Sequence, residues 1–206
     1  MLKDKQQRLY ITLKTVISVG AWIIALIGAF YTDNFASLKF LLPALIMCTF
    51  GDVFLALSDE VNIRLIEPYF TLGVASFGIA HIIFGAYFLV LCGFQVSWSL
   101  VLSPVTFLML WGFKRAGILK CDEYASSTMV YSLLVGAFLG LGINLIVTGE
   151  MNAKAIVLCI AAFLFWSSDV SLSFRYFTKK FPLTLGVVVL TTYFAAIYMI
   201  AFSTFA

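Results

Sequence analysis

Charge is what this sequence has least of. Asp, Glu, Lys and Arg make up only 11% of its 206 residues and hydrophobic residues 63%, whereas an ordinary soluble domain is roughly 25% charged. A soluble globular chain is thereby excluded. Histidine occurs once, and Cys48, Cys92, Cys121 and Cys159 stand alone with no Cys-x-x-Cys spacing, so a histidine- or cysteine-rich metal centre lacks its ligands and no cofactor is implied. Disulfides are not expected, because three of the four cysteines fall in or at the edge of apolar runs. Long polar stretches are scarce too. Spans of about 20 residues use up nearly the whole length, so any chemistry has to be done between helices. Basic residues form no cluster, and the net charge of +3 is spread over several segments, which gives nucleic-acid binding no support.

What is present is a series of seven apolar runs: Tyr10 to Tyr31, Leu38 to Leu57, Tyr69 to Gly93, Trp98 to Phe113, Ser126 to Thr148, Ala153 to Phe174 and Thr184 to Phe205. The fourth is short and carries Pro104. The expected fold is all-α, a single polytopic transmembrane bundle of seven spans over residues 1–206. The first run follows a charged N-terminus and is longer than a signal-peptide core, without an Ala-x-Ala site, so it reads as a retained span. Lys and Arg set the orientation, since cytoplasmic connections carry the positive excess. Lys3, Lys5, Arg8, Arg64, Lys114, Arg115, Lys120, Arg175, Lys179 and Lys180 fall on one side, and Lys39 and Lys154 on the other. That ladder predicts a cytoplasmic N-terminus and an outside C-terminus.

Two carboxylates interrupt the apolar runs. Asp52 follows Phe50-Gly51 in the second, and Asp169 follows Phe165-Trp166-Ser167-Ser168 in the sixth. A charged group at such depth costs about 3 kcal/mol on insertion scales, which makes an intramembrane Asp a functional candidate. At about 1.5 Å per residue, both acids, Lys14, Tyr131 and Ser132 come to one level near the cytoplasmic face, with His81 and Tyr193 deeper. Such a cleft, charged near its mouth and apolar above, suits a single-chain amphiphile. Each residue also has a purely structural reading: an acid bonding across helices, Lys14 snorkelling to lipid phosphate, His81 bonding a neighbouring helix, Tyr193 packing. Gly136 and Gly140 form a small-x-x-x-small pair that permits close helix approach.

Read together, Gly51-Asp52-Val53-Phe54-Leu55, Phe70-x-x-Gly73 with Phe77 and His81, Ala161 to Asp169 with its Ser168-Asp169 end, Phe181-Pro182, and Thr192-Tyr193-Phe194-Ala195-Ala196 resemble the YhhN-like lysoplasmalogenase family in order and spacing. Lys14 fits its early lysine by distance to the Gly-Asp pair. The resemblance covers about Lys14 to Ser203. It implies hydrolysis of the vinyl ether of a lysophospholipid to a fatty aldehyde and a glycerophospho head group, within membrane lipid. It carries Lys14, Asp52, His81, Ser168, Asp169 and Tyr193 over as site residues, with Tyr131 by a less specific match; the expected roles are catalytic for Asp52 and Asp169 and substrate-binding for Lys14, His81, Tyr131, Ser168 and Tyr193. The sequence departs from the family at Thr15, Phe84 and Ile197, where proline, tyrosine and glutamine are usual, and it shows seven runs where eight helices are usual. Vinyl ether hydrolysis needs a proton delivered to carbon and a cation stabilised, work that two carboxyls in a poorly hydrated site divide; which acid donates is left open by the residues. Three other functions use similar features: a metal-dependent lipid hydrolase, which needs more histidine; a small transporter, for which no inverted repeat is visible; and a lipid-binding protein without turnover.

Overall fold

Segments this apolar are driven to helix in a bilayer, because each backbone N–H and C=O has to find its partner within the segment. The computed structural model of the protein describes residues 2–58, 66–121, 124–148, 151–178 and 183–206. Among these are seven α-helices: α1 (Leu2–Thr32), α2 (Phe35–Ser58), α3 (Ile66–Leu91), α4 (Ser97–Arg115), α5 (Ala125–Val147), α6 (Ala153–Phe177) and α7 (Leu183–Phe202), followed by a closing 3-10 turn, Ser203–Phe205. Six of them are long and apolar enough to cross a membrane; the exception is α4. At 19 residues it is the shortest, with Pro104 inside it and Lys114 and Arg115 in its last turn. The chain is therefore an all-helical, multi-pass membrane protein with six candidate spans. Arg64, Lys179, Lys180, Phe181 and Pro182 lie outside the described residues. Arg175, expected in a connection, lies within α6.

The six candidate spans form a ring. Helix α1 packs on α2, α2 on α3, α3 on α5, α5 on α6, α6 on α7, and α7 closes back on α1. Helix α4 stands outside that ring against α5. Small residues let the ring close: Ala21, Ala25 and Ala29 form a fully buried stripe along α1 at four-residue spacing, while Leu13, Val16, Ile23 and Ile27 on its other face are half or more exposed. Apolar residues facing out and polar ones facing in is the pattern of a bundle solvated by lipid. Polar contacts stitch the α1/α7 seam, where Tyr198 Oη donates to the Ile17 carbonyl (2.9 Å) and Thr32 Oγ1 to that of Thr204 (2.8 Å).

The Gly136/Gly140 pair is used within the chain. A Cβ on Gly140 would lie 2.4 Å from Ser99 Cα, and one on Gly136 2.4 Å from the Leu102 carbonyl oxygen. Helix α4 thus seats its Ser99-x-x-x-Ser103 edge directly on the glycine edge of α5. Ser99 Oγ and Ser103 Oγ donate to the Ala137 and Leu133 carbonyls at 3.0 and 2.9 Å. Side chains extend the contact to α6, through Trp166 Nε1 donating to Thr106 Oγ1 (3.0 Å) and Phe113 edge-on to Phe174. Leu100, Val105 and Leu108 on the opposite face of α4 stay half or more exposed.

Candidate active site

The ring converges on two carboxylates. Asp52 sits on the inner face of α2 and Asp169 on that of α6, 1% and 6% exposed. Both line one narrow cavity, whose wall also carries Lys14, Ser168, Arg175 and Tyr193. An adjoining lobe on the α3/α5 side shares Leu55, Phe77, Asp169, Leu172 and Tyr176 with it and adds Tyr131. Each lobe has an open volume of about 30 Å³, room for about two waters.

The two acids have unlike surroundings. Asp52 is saturated with donors: Lys14 Nζ reaches Oδ1 at 3.0 Å, while Ser18 Oγ and Tyr193 Oη donate to Oδ2 at 2.5 and 2.7 Å. Lys14 and Ser18 are one helical turn apart on α1, so a single face delivers both. Three donors, one an ammonium, match what an ionised carboxylate accepts. Lys14 therefore bonds inward to Asp52, where snorkelling was one reading of it.

Asp169 accepts one clear hydrogen bond, from Tyr131 Oη to Oδ2 at 3.0 Å. Its other neighbour is His81. The ring Nδ1 of His81 is 2.9 Å from the Phe77 carbonyl, an atom that only accepts, so Nδ1 carries a hydrogen. Nε2, buried and without a well-aimed hydrogen bond, then faces Asp169 Oδ2 at 3.3 Å. A neutral imidazole nitrogen and an ionised carboxylate would present lone pair to lone pair at that distance. One proton must lie between them, on Asp169 or on the ring. Phe165, Phe138 and Tyr131 surround the imidazole edge-on, with ring centres 4.5, 5.2 and 5.6 Å away, and keep water from it.

The glycines of the motifs have local reasons. A Cβ on Gly51 would strike the Phe77 ring at 2.5 Å, and one on Gly73 the Leu55 side chain at 2.6 Å. Phe77 and Leu55 line both lobes, and Phe77 supplies the carbonyl that fixes His81. The glycines let α2 and α3 approach closely enough to build the cavity wall.

Of the residues singled out from sequence, Lys14, Asp52, His81, Tyr131, Ser168, Asp169 and Tyr193 gather here, with adjustments. Tyr193 and His81 were placed deeper than the acids by backbone rise, yet their long side chains bring Oη and Nε2 to the carboxylates. Ser168 lines the cavity, but its hydroxyl donates to the Val189 carbonyl on α7 (3.0 Å) and so ties two helices together. Ser132 bonds its own Met129 carbonyl and is no part of the set. Thr15 bonds the Ile11 carbonyl, Phe84 fills the aromatic core against Phe138 and Phe165, and Ile197 is fully buried in the apolar core away from the cavity wall. Two residues went unnoticed. Ser18 could have been found from its one-turn spacing to Lys14; Arg175 was counted toward membrane orientation and lines the cavity. Among the described residues no three His, Cys, Asp or Glu side chains cluster as a metal site would require.

A family model described as the YhhN family matches residues 9–204, nearly the whole chain. No curated protein and no solved structure matches.

Proposed function

The chain belongs to the YhhN family, the lysoplasmalogenase-like family, and on that premise we propose that it is a membrane hydrolase that cleaves the vinyl ether of lysoplasmalogens. The observation that carries this reading is the asymmetry of the two acids in one poorly hydrated cavity: Asp52 saturated as an anion, Asp169 paired with a histidine nitrogen that requires a shared proton.

Asp169 delivers that proton to the alkene carbon next to the ether-bearing one, and the ether carbon becomes an oxocarbenium-like cation. The Asp52 carboxylate, held by Lys14, Ser18 and Tyr193, is a preorganised negative charge in a low-dielectric site, where such stabilisation is worth most. Water adds to the cation and returns a proton to the Asp169/His81 pair. The resulting hemiacetal collapses, breaking the carbon–oxygen bond to glycerol, so that vinyl ether and one water give aldehyde and glycerophospho alcohol with no net proton change. His81, donating to the Phe77 carbonyl through Nδ1, presents Nε2 to Asp169 and acts on the proton; it is a positioning residue. Lys14 and Arg175 bring positive charge to the cavity wall for the phosphate.

The same reading takes the seven helices as seven spans, with α4 crossing beside α5 and the N-terminus cytoplasmic. The cation-bearing end of the cavity then opens to the cytoplasmic leaflet.

The test is aldehyde release from a lysoplasmalogen by purified protein, by Asp52→Asn and by Asp169→Asn. Turnover by wild type and its loss in both variants is the expected result; undiminished turnover in both would remove the acids from the mechanism.

A further inference from the structure

The two lobes around the acids are far too narrow for a hydrocarbon chain, yet a third cavity adjoins them. It is an apolar groove between α3 and α5 that runs from Thr71 to Ile82 on one helix and from Ser127 to Leu134 on the other, with an open volume of about 290 Å³. No charged residue lines it. Val74 and Tyr131 belong both to this groove and to the lobe holding Asp169. That lobe in turn shares Asp169 with the cavity holding Lys14 and Arg175. The three spaces therefore run in series: apolar groove, acid, cations.

We infer that the α3/α5 groove holds the single hydrocarbon chain of the lysophospholipid, with the Tyr131 side chain as the partition between chain and acid. The inference rests on the function proposed above and adds where the chain lies. Its order of surfaces is that of the substrate, in which the vinyl ether stands between tail and phosphate. Its length also fits. Thr71 to Ile82 covers roughly 16 Å at the helical rise, about half of the ~30 Å hydrocarbon core, so the groove spans one leaflet, as one chain does. Gly78 forms part of its lining: a Cβ there would make only ordinary contacts, 3.7 Å to Leu134 and 3.9 Å to Tyr131, so a larger side chain fills the groove without forcing the helices apart. Tyr131 has one face on the groove while its hydroxyl bonds Asp169, which couples the presence of a chain to the acid's hydrogen bonding.

The experiment compares long-chain and short-chain lysoplasmalogens with wild type, Gly78→Leu and Gly112→Leu. Gly112 is the control, exposed on α4 with nothing within 4 Å of an added Cβ. Gly78→Leu is expected to raise KM for the long chain roughly tenfold or more, from the methylenes it displaces, and for the short chain by clearly less, with the Gly112→Leu control unchanged for both. Equal effects on both chain lengths, or none, overturn the groove and leave the proposed hydrolysis standing. Should Gly78→Leu fail to fold, Ile82→Trp obstructs the same groove from a position 57% exposed, where added bulk meets lipid.

A second arm does not need turnover. Lysophosphatidylcholine with a diazirine at its chain end is photolysed with the protein, with and without excess unlabelled lysophosphatidylcholine. Label on α3 and α5 that is competed away, and lost in Gly78→Leu, supports the groove even if wild type releases no aldehyde, an outcome that would reject only the enzymatic reading. Label spread evenly over the lipid-facing helices overturns the groove.

Discussion

Two polar clusters lie buried in this bundle, and they are put together differently. At the α4/α5 seam, Asn144 is fully buried, with its amide nitrogen donating to the Gln95 carbonyl (2.8 Å) and its Oδ1 accepting from Ser97 Oγ and the Trp98 amide (3.1 and 3.3 Å). Ser99 and Ser103 bond backbone carbonyls across the same seam. Each of these side chains has a hydrogen-bond partner, and no formal charge is involved. In the cavity, charge is concentrated on Asp52 and Lys14, and the Asp169–His81 contact closes only with a mobile proton. Buried polarity alone therefore does not mark a site; an arrangement whose hydrogen bonds depend on protonation does.

The largest effect expected from breaking this contrast is in Asp169→Asn. Tyr131 Oη and His81 Nε2 both meet Asp169 Oδ2, and an amide N–H₂ set at that site can donate one hydrogen to each of them, so both neighbours keep a partner while the transferable proton is gone. Aldehyde release should fall by roughly 10²–10⁴, the usual worth of a general acid, with the thermal midpoint in detergent close to wild type. A variant that keeps turnover, or that unfolds, contradicts the proton-sharing account. Asp52→Asn should behave differently, although the chemical change is the same. It sets an amide against three donors and removes the negative charge that Asp52 holds 3.0 Å from the Lys14 ammonium, which is 11% exposed. Removing one partner of a buried ion pair costs about 3–5 kcal/mol, so this variant should lose stability as well as activity. Equal thermal midpoints for the two Asn variants would erase the distinction between the acids.

The architecture was largely legible in the sequence because lipid leaves so few choices: the seven apolar runs correspond to the seven helices of the described residues, six of them candidate spans, and the acids' isolation in those runs pointed to the candidate site. Three features were not legible. Helix order around the ring depends on side-chain shape, which a hydropathy pattern does not record; nothing in the α4 run says that it lies outside the ring, against Gly136 and Gly140. Depth from backbone rise ignores side-chain length, and so misplaced Tyr193 and His81. The roles of the two acids depend on which atoms face them, and Phe77 matters through a carbonyl that every residue has. Arg175 was hidden by its usefulness to a different argument, the charge ladder.

The seam offers the converse test. Gly140→Leu puts a Cβ where Ser99 Cα already stands and adds three more carbons, so α4 and α5 must separate. Overpacking of this kind costs about 1–3 kcal/mol or more. The thermal midpoint should drop while turnover per folded molecule holds, because no cavity residue lies on that edge. A loss of turnover with stability intact would mean that α4 communicates with the acids.

Ser103→Ala is the smallest change and separates packing from hydrogen bonding at the same seam. Its hydroxyl bond to the Leu133 carbonyl is of the interhelical kind that averages about 0.6 kcal/mol in membrane proteins. The carbonyl keeps its own helical N–H when that bond is removed, so no buried acceptor is left unpaired. The methyl group of alanine still fits the close approach that Gly136 permits. A shift in thermal midpoint clearly smaller than that of Gly140→Leu would assign the hold of α5 on α4 to the proximity of their backbones. A shift as large would assign it to the serine hydroxyls, and make the seam a second place in this bundle where individual hydrogen bonds decide the structure.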